Sequence, residues 1–256
     1  MSESYIYPNW PLWGPAKLKV RACITTRLGG HSLPPYDSFN LGLHVGDDFA
    51  AVTANRAQLQ EVLPNQPVWL NQVHGVTVFD ADQSNSGAVP TADAAVTVEP
   101  NRVLAIMTAD CLPILLCDQD AKVVGIAHAG WRGLSAGVIE QTVSEMLKKL
   151  GGGSSGIYAY LGPAIGPTVF EVGDDVVQAF DDAGSQKPES AFRPIEGRPG
   201  KYLADIYQLA RERLSGLGIS KIAGADHCTV KEDQDFFSYR RDGKTGRFAT
   251  FIWISK

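Results

Sequence analysis

Met107-Thr108-Ala109-Asp110-Cys111-Leu112-Pro113, continued by Ile114 to Asp118 and then by Val123-Val124-Gly125-Ile126-Ala127-His128-Ala129-Gly130-Trp131-Arg132-Gly133, is the stretch that decides the fold. It contains two apolar runs of strand length, each bounded by turn residues. After Gly133 the apolar residues recur with helical spacing as far as Leu150. The pattern predicts a strand, a Gly-rich turn and a helix. Cys111 and His128 lie where an apolar run meets a turn, so both side chains are held rigidly and can reach a cleft.

Length and charge narrow the class of protein. The 256 residues carry 23 Lys and Arg against 28 Asp and Glu, a net charge of -5, which offers no general attraction to nucleic acid or to an anionic membrane. No apolar run approaches the roughly 20 residues needed to cross a bilayer, and the amino terminus has no basic start. We therefore expect a cytoplasmic protein, a monomer, with neither nucleic-acid nor membrane partners.

The chain reads as one domain. Gly151-Gly152-Gly153-Ser154-Ser155-Gly156 has the composition of a linker, but it follows a predicted helix and precedes a predicted strand. We interpret it as a loop, with a domain boundary as the alternative, and expect residues 1–256 to form a single catalytic domain.

Glycine and proline divide the rest of the chain into short elements. Residues 17–25 alternate polar and apolar and predict a strand, followed by a loop over 26–48 that is either an ordered binding loop or a surface excursion held down by Leu and Phe. Asp47 or Asp48 can cap a helix that ends at Pro64. Residues 67–79 are strand-like on both sides of a polar insert, Asn71-Gln72, with His74-Gly75 at the bend. Further strands are predicted at 91–98, 103–107, 157–161, 221–224 and 248–254, and further helices near 174–183 and 202–216.

Three side chains suggest a metal site. Four cysteines in a chain of this length do not make a disulfide framework, and Cys111 is the one that stands beside a turn. His74 and His128 also lie at strand ends. Two imidazoles and a thiolate suit zinc or copper and leave a fourth position for water or substrate. Their separations, 37 and 17 residues, match no short ligand motif, so ordinary core residues stay an open alternative.

The same residues allow a second chemistry. Cys111 can act as a thiolate nucleophile with His74 or His128 as its base, and Asp110 would then orient the histidine. Anion binding is indicated at Arg132, which begins a helix, and at Arg27, Arg240 and Arg241, which lie beside glycines. For each arginine the alternative is simple solvation at the surface.

The sequence resembles a known family, the laccase-domain or multicopper polyphenol oxidase proteins. Members of this family are also described as metal-dependent purine nucleoside phosphorylases. The resemblance covers nearly the whole chain in the right order. Its main blocks are Asn71-Gln72-Val73-His74-Gly75, Thr108-Ala109-Asp110-Cys111-Leu112-Pro113 and Ala127-His128-Ala129-Gly130-Trp131-Arg132-Gly133, supported by Thr26-Arg27-Leu28-Gly29-Gly30, Asn40-Leu41-Gly42-Leu43-His44-Val45-Gly46-Asp47, Gly162-Pro163-Ala164-Ile165-Gly166, Phe170-Glu171-Val172 and Ser238-Tyr239-Arg240-Arg241-Asp242-Gly243.

The resemblance implies an α+β fold, a layered α/β/β/α sandwich with mixed sheets, although the pattern of strands and helices alone also allows a parallel α/β sheet. It implies that His74, Cys111 and His128 bind the metal, zinc with copper as the alternative. The implied reaction is phosphorolysis of adenosine, inosine and methylthioadenosine, with adenosine deamination as a second activity.

We assign the remaining roles on this basis. Cys111 is placed at the reacting centre, with Asp110 or Glu171 as the carboxylate that carries a proton in deamination. The residues assigned to phosphate and ribose are Arg27, Asn40, Arg132 and Arg241. The chain has only five histidines, too few for the copper set of a laccase. The alternatives are a cysteine- or metal-dependent amidase acting on peptidoglycan precursors, a copper-dependent polyphenol oxidase, and a zinc-binding protein without turnover.

Overall fold

The computed structural model describes residues 4–83, 87–152, 156–182 and 189–256. The strands are β1 (Tyr5–Ile6), β2 (Val20–Thr25), β3 (Val78–Asp80), β4 (Ala94–Thr97), β5 (Leu104–Thr108), β6 (Leu112–Asp118), β7 (Val124–Ala129), β8 (Ile157–Leu161), β9 (Glu171–Gly173), β10 (Phe192–Pro194), β11 (Lys201–Ala204), β12 (Lys221–Gly224) and β13 (Phe248–Ile254). The α-helices are α1 (Gly14–Lys19), α2 (Phe49–Gln58), α3 (Trp131–Ala136), α4 (Val138–Lys149), α5 (Asp174–Asp182), α6 (Ile206–Gly216) and α7 (Tyr239–Asp242), with 3-10 turns at Leu59–Glu61 and Glu189–Ala191.

Two large sheets carry the fold. The first has the strand order β1-β2-β13-β5 and is antiparallel. The second has the order β12-β8-β6-β7-β4-β3 and is mixed, because β12 runs parallel to β8 and β3 runs parallel to β4. A smaller antiparallel sheet, β10-β11-β9, lies beside them.

Strand β6 shows how the layers stack. Leu112, Ile114 and Leu116 belong to the apolar core shared with α4 and α6, whereas Leu115 and Cys117 belong to the core shared with the four-stranded sheet. Alternate side chains point to opposite faces of a strand, and both faces are buried here, so the sequence is continuously apolar. Helices therefore cover one face of the six-stranded sheet and the second sheet covers the other.

The loop over 26–48 covers the outer face of the four-stranded sheet. Phe39 and Leu41 are fully buried against Cys23 and Phe251 in a third apolar core. Asn55 of α2 donates to the main-chain oxygens of residues 38 and 40 and holds this loop to the helix. These layers confirm the predicted α/β/β/α arrangement, and the six-stranded sheet is the mixed one.

Several predicted elements differ from the observed ones. Residues 17–19 are the end of α1, which Pro15 starts in its first turn, and the strand begins only at Val20. Within the strand-like segment 67–79, Val68 and Asn71 form isolated bridges, and a strand, β3, begins only at Val78. The helix predicted from residue 202 begins at Ile206, because Asp205 caps it and Lys201–Ala204 is strand β11. The predicted end of a helix at 183 and residues 153–155 of the Gly-Ser loop lie outside the described residues.

The predicted cap at Asp48 is confirmed, since its side chain accepts from the main-chain N–H of Ala51. None of the described helices is long and apolar enough to cross a membrane.

Candidate metal centre

The β6–β7 hairpin brings Cys111 and His128 together. Cys111 directly precedes β6, and His128 pairs with Pro113 across the two strands. His74 lies in the loop before β3, and its ring centroid is 4.7 Å from that of His128. The three ligand atoms all lie within 4.8 Å of one another, and the Cys111 Sγ atom is 3.8 Å from His74 Nε2.

Asp93 organises this group and was not predicted. Its buried carboxylate lies 2.8 Å from His128 Nδ1 and accepts the main-chain N–H groups of Val73, His74 and Gly75 at 3.1, 2.8 and 2.7 Å. Burial opposes the charge of Asp93, but these hydrogen bonds outweigh it and hold the pKa of the carboxyl below its usual value. In the sequence Asp93 is a lone acid before an apolar strand, which gives no signal of its partners.

The backbone at the site is close-packed and unusual. A Cβ atom on Gly130 would lie 3.0 Å from both Cys111 Sγ and His74 Cδ2, so only glycine fits there without displacing a proposed ligand. His74 and Asp110 have positive φ values of 61° and 93°. Non-glycine residues rarely adopt this conformation, and such positions cluster at functional sites.

Cys111 and His128 form a charged pair when no metal is bound. Burial alone would raise the pKa of Cys111, but the charge of His128 and hydrogen bonds from both histidines lower it from 9.0 to about 6. Burial alone would lower the pKa of His128, but Cys111 and Asp93 raise it from 6.5 to about 9. The thiolate is therefore available at neutral pH, as a metal ligand must be.

Two imidazoles and a thiolate are donor types that zinc takes in tetrahedral sites. Ligands at about 2.0–2.3 Å from zinc in tetrahedral geometry lie about 3.3–3.6 Å apart, close to the 3.8 Å between Cys111 Sγ and His74 Nε2. Because His128 Nδ1 faces Asp93, its Nε2 is the nitrogen free to bind a metal. Among the described residues this is the one group of three such side chains with the donor atoms to hold an ion.

The centre lies where two cavities meet. A cavity of about 500 Å³ and a second of about 280 Å³ both include His74, Cys111 and Tyr239 in their walls. A ligand in either cavity can therefore reach the three donors.

Arg132 and Arg240 line the smaller cavity. The Arg132 guanidinium stacks over the Trp131 ring at 4.3 Å and makes no hydrogen bond or ion pair within the part of the chain that the structure describes. Arg240 donates one hydrogen bond to the main-chain oxygen of Glu171. This cavity thus presents cationic donors beside the three-donor centre.

Asp110 also lines the smaller cavity, but it does not orient a histidine. Its two oxygens accept from the Thr229 hydroxyl at 2.6 Å and from the main-chain N–H of Arg240 at 2.7 Å. The hypothesis that Asp110 orients the histidine is wrong, because Asp93 occupies that position. Asp110 instead ties Thr229 and the start of α7 to the turn that carries Cys111.

Four other predicted site residues lie among protein partners. Arg27 donates to the main-chain oxygens of residues 37 and 233, and Asn40 bonds Asp47 and the main chain of residues 42 and 247. Arg241 donates to three main-chain oxygens and pairs with Asp242. Glu171 pairs with Arg198. The residues described as lining the two cavities include none of these four.

The larger cavity contains three residues to which no role was assigned. Its wall includes His44, Arg247 and Tyr239 together with Met107 and apolar neighbours. Burial and the nearby arginines lower the pKa of His44, so its imidazole is neutral. Only the packing of the 26–48 loop against β13 places these side chains together, and no spacing in the sequence signals it.

Known proteins are similar to this chain over nearly its whole length. It is 50% identical over 251 residues to the purine nucleoside phosphorylase YfiH of Escherichia coli, covering 97% of this chain and 98% of that protein. It is 49% identical over 252 residues to a purine nucleoside phosphorylase of Pseudomonas aeruginosa, covering 98% and 99%. The crystal structure of YlmD from Geobacillus stearothermophilus superimposes with a TM-score of 0.89 at 35% identity, covering 100% of this chain and 98% of that one.

The family described as multi-copper polyphenol oxidoreductase laccase matches residues 21–255. This range includes His74, Cys111 and His128. The match confirms the resemblance noted in the sequence, and the chain belongs to this family.

Proposed function

We propose that the protein is a zinc-dependent purine nucleoside phosphorylase, with adenosine, inosine and methylthioadenosine as substrates and adenosine deamination as a second activity. The observation that carries the proposal is the three-donor centre at the junction of two cavities, one of them lined by arginines. The relatives named purine nucleoside phosphorylase, about half identical to this chain, support it.

The reaction needs an oxyanion and a nucleoside side by side. A phosphate oxygen forms a bond to the ribose C1′, the bond from C1′ to the purine nitrogen breaks, and the purine keeps the electron pair and takes up a proton. We place phosphate in the smaller cavity, where Arg132 and Arg240 supply charged donors. Bound zinc supplies Lewis acidity and lowers the pKa of a water molecule.

The nucleoside then occupies the larger cavity. Its volume of about 500 Å³ lies within the range of small-molecule sites. The neutral His44 and the charged Arg247 offer different hydrogen-bonding groups to the edge of a purine, and Met107 and Leu70 offer apolar contact. A mixed wall of this kind suits a flat base with a polar edge.

Deamination requires a water that attacks the purine ring carbon and a carboxylate that moves a proton to the leaving ammonia. Asp110 is our candidate, because it lines the smaller cavity beside Cys111. Glu171 is the weaker candidate, since its carboxylate pairs with Arg198 outside the residues that line the cavities.

Zinc is preferred to a copper cluster because of where the histidines lie. A laccase-type cluster needs many imidazoles. His31 bonds Gln58 and His227 bonds Glu232, each at 2.7 Å, and of the three histidines outside the centre only His44 lines one of the two cavities. One three-donor site suits zinc better than the several coppers of a polyphenol oxidase.

A specific observation favours a second candidate, a thiol amidase acting on peptidoglycan precursors. Cys111, His128 and Asp93 have the arrangement of nucleophile, base and orienting carboxylate. This enzyme would retain its activity without metal.

The deciding experiment measures zinc content by mass spectrometry and, on the same sample, adenosine turnover by chromatography with and without phosphate. The phosphorylase predicts about one zinc per chain and ribose 1-phosphate only when phosphate is present. Inosine formed from adenosine without phosphate would identify deamination. Zinc without any nucleoside turnover would favour a binding protein, and amide hydrolysis by metal-free protein would favour the thiol enzyme.

A further inference from the structure

One carboxylate supports two of the three proposed ligands. Oδ1 of Asp93 lies 2.8 Å from His128 Nδ1 and accepts the main-chain N–H of His74 at 2.8 Å. Oδ2 accepts the N–H groups of Val73 and Gly75 at 3.1 and 2.7 Å. The main-chain oxygen of Asp93 also accepts the N–H of His128 at 2.7 Å. Asp93 is fully buried, so these contacts have little competition from water.

The conformation of the His74 loop depends on this carboxylate. Three successive N–H groups around one anion form the concave backbone site known as a nest. His74 has a φ of 61° there, and a left-handed conformation is costly in a residue with a Cβ atom. Hydrogen bonds to a buried charge offset that cost. Without the charge, the loop would relax and the His74 ring would leave its position beside Cys111.

The same carboxylate determines which nitrogen of His128 faces the metal position. It receives the Nδ1–H group, which leaves the Nε2 lone pair for a metal. Without the Asp93 carboxylate, the His128 ring is free to rotate or to change tautomer.

We infer that Asp93 is a positioning residue that sets both histidine ligands at once, so that one substitution weakens metal binding through two ligands. The inference rests on the metal site of the proposed function. Loss of an outer hydrogen-bond partner of one metal ligand lowers metal affinity by about 10–100-fold. Because Asp93 serves two ligands, we expect Asp93→Asn to weaken zinc binding by about 100-fold, the upper end of that range.

Asp118 provides a matched control. It is also a fully buried aspartate, and it accepts the main-chain N–H groups of Asp120, Lys122 and Val123. It ends β6 at the other end of the hairpin, six residues after Leu112 and so about 20 Å away along the strand. Asp118→Asn therefore removes the same kind of interaction without touching a proposed ligand.

The experiment compares the wild-type chain with Asp93→Asn, Asp93→Glu and Asp118→Asn. Zinc affinity is measured by competition with a chromophoric chelator, ligand geometry by the visible spectrum of the cobalt-substituted protein, and fold by thermal unfolding without metal. We expect weaker zinc binding and an altered cobalt spectrum in Asp93→Asn. Asp118→Asn should lower only the unfolding temperature.

Asp93→Glu keeps a negative charge in the nest but displaces the carboxylate, because its side chain is longer. It tests the positioning role of the carboxylate if Asp93→Asn fails to fold. We expect an affinity between those of wild type and Asp93→Asn, with an altered cobalt spectrum. Wild-type affinity and spectrum in Asp93→Asn, or in Asp93→Glu if only that variant folds, would overturn the inference, as would equal losses at Asp93 and Asp118. A wild-type chain that binds no zinc would instead overturn the proposed metal site, and this inference with it.

Discussion

The Sγ atom of Cys111 lies 3.8 Å from the Nε2 atom of His74. Two ligands on one tetrahedral zinc are about 3.6 Å apart, so the two side chains need only a small adjustment to share an ion. The loop that carries His74 and the turn that carries Cys111 already hold this spacing, so folding positions both donors before any metal binds.

Replacement of Cys111 by serine should remove metal and turnover together. Serine lacks a thiolate, and loss of a ligand exceeds the 10–100-fold effect of losing an outer partner. We therefore expect zinc affinity to fall by more than about 100-fold, measured by chelator competition and compared with adenosine turnover. Cys228→Ser is the control, because Cys228 is also half-buried but is not a proposed ligand. Full turnover in metal-free Cys111→Ser would sink the metal hypothesis.

Gly130→Ala should damage the centre without changing any ligand. The new Cβ would lie 3.0 Å from both Cys111 Sγ and His74 Cδ2. We expect weaker zinc binding and a loss of about 1–3 kcal/mol in the free energy of unfolding, as in other overpacked sites. Gly216→Ala is the control: its Cβ meets nothing within 4 Å, and alanine in a helix should stabilise the chain. Unchanged zinc affinity in Gly130→Ala would show that the ligands can move apart freely.

The metal-free protein should hold Cys111 as a thiolate well below the ordinary pKa of a thiol. Alkylation of Cys111, followed by peptide mass spectrometry, should have its midpoint near the pKa of about 6 that the histidines produce against the opposing effect of burial. In His128→Gln the midpoint should rise towards 9.0. Cys23 is an internal reference, because burial raises its pKa to about 12. An unchanged alkylation midpoint in His128→Gln would contradict the role of His128 in lowering the Cys111 pKa.

The stability of the metal-free chain should show little pH dependence from this pair. The lowered Cys111 pKa contributes stability that is present above 9.0 and is lost as pH falls through about 6. The raised His128 pKa contributes stability that is present below 6.5 and is lost as pH rises through about 9. Between pH 6.5 and 9.0 the folded pair holds one proton, on His128, and the unfolded pair also holds one, on Cys111. The stability that Cys111 gains as pH rises therefore offsets the stability that His128 loses. The difference in unfolding temperature between wild type and the double variant Cys111→Ser, His128→Gln should stay constant across this window, and a steady drift would contradict the pairing.

Arg132→Gln should raise the KM for phosphate more than it lowers kcat. A hydrogen bond to a charged group contributes about 1.5–3 kcal/mol, which corresponds to about 10–150-fold in affinity. Arg198→Gln is the control, since the Arg198 side chain is 53% exposed and pairs with Glu171 at the surface. Equal KM values in both variants would place phosphate elsewhere.

The local pattern of the chain predicted much of the fold. The runs that became β6 and β7 were recognisable because both faces of those strands are buried and the sequence is therefore apolar throughout. The helix cap at Asp48 was recognisable because a capping aspartate acts on amides only three residues away. The strand-like pattern over 67–79 was confirmed only at its end, in β3, because an apolar run shows that a segment is buried and does not show whether another strand lies beside it.

The sequence predicted some residues of the candidate site and missed others. His74, Cys111 and His128 came from family resemblance, with residue type and position at the ends of apolar runs as weaker support. Arg132 lies beside the centre because it follows β7 directly, and its role in phosphate binding stays a prediction. Asp93, His44 and Arg247 were missed because their partners are far away in the chain. The Asp93 carboxylate, for instance, bonds residues 19 and 35 positions away.

The sequence by itself determined the buried strands β6 and β7, the Asp48 cap and the residue types with metal-binding chemistry, because periodicity and residue type are local properties of the chain. The layered arrangement came from family resemblance. Only the tertiary structure decided that Asp93 holds both histidines, that Asp110 ties down α7, and that two cavities meet at Cys111. These relationships are hydrogen bonds and contacts between segments that become neighbours only when the sheets pack, and a local pattern shows that a face is buried without showing what lies against it.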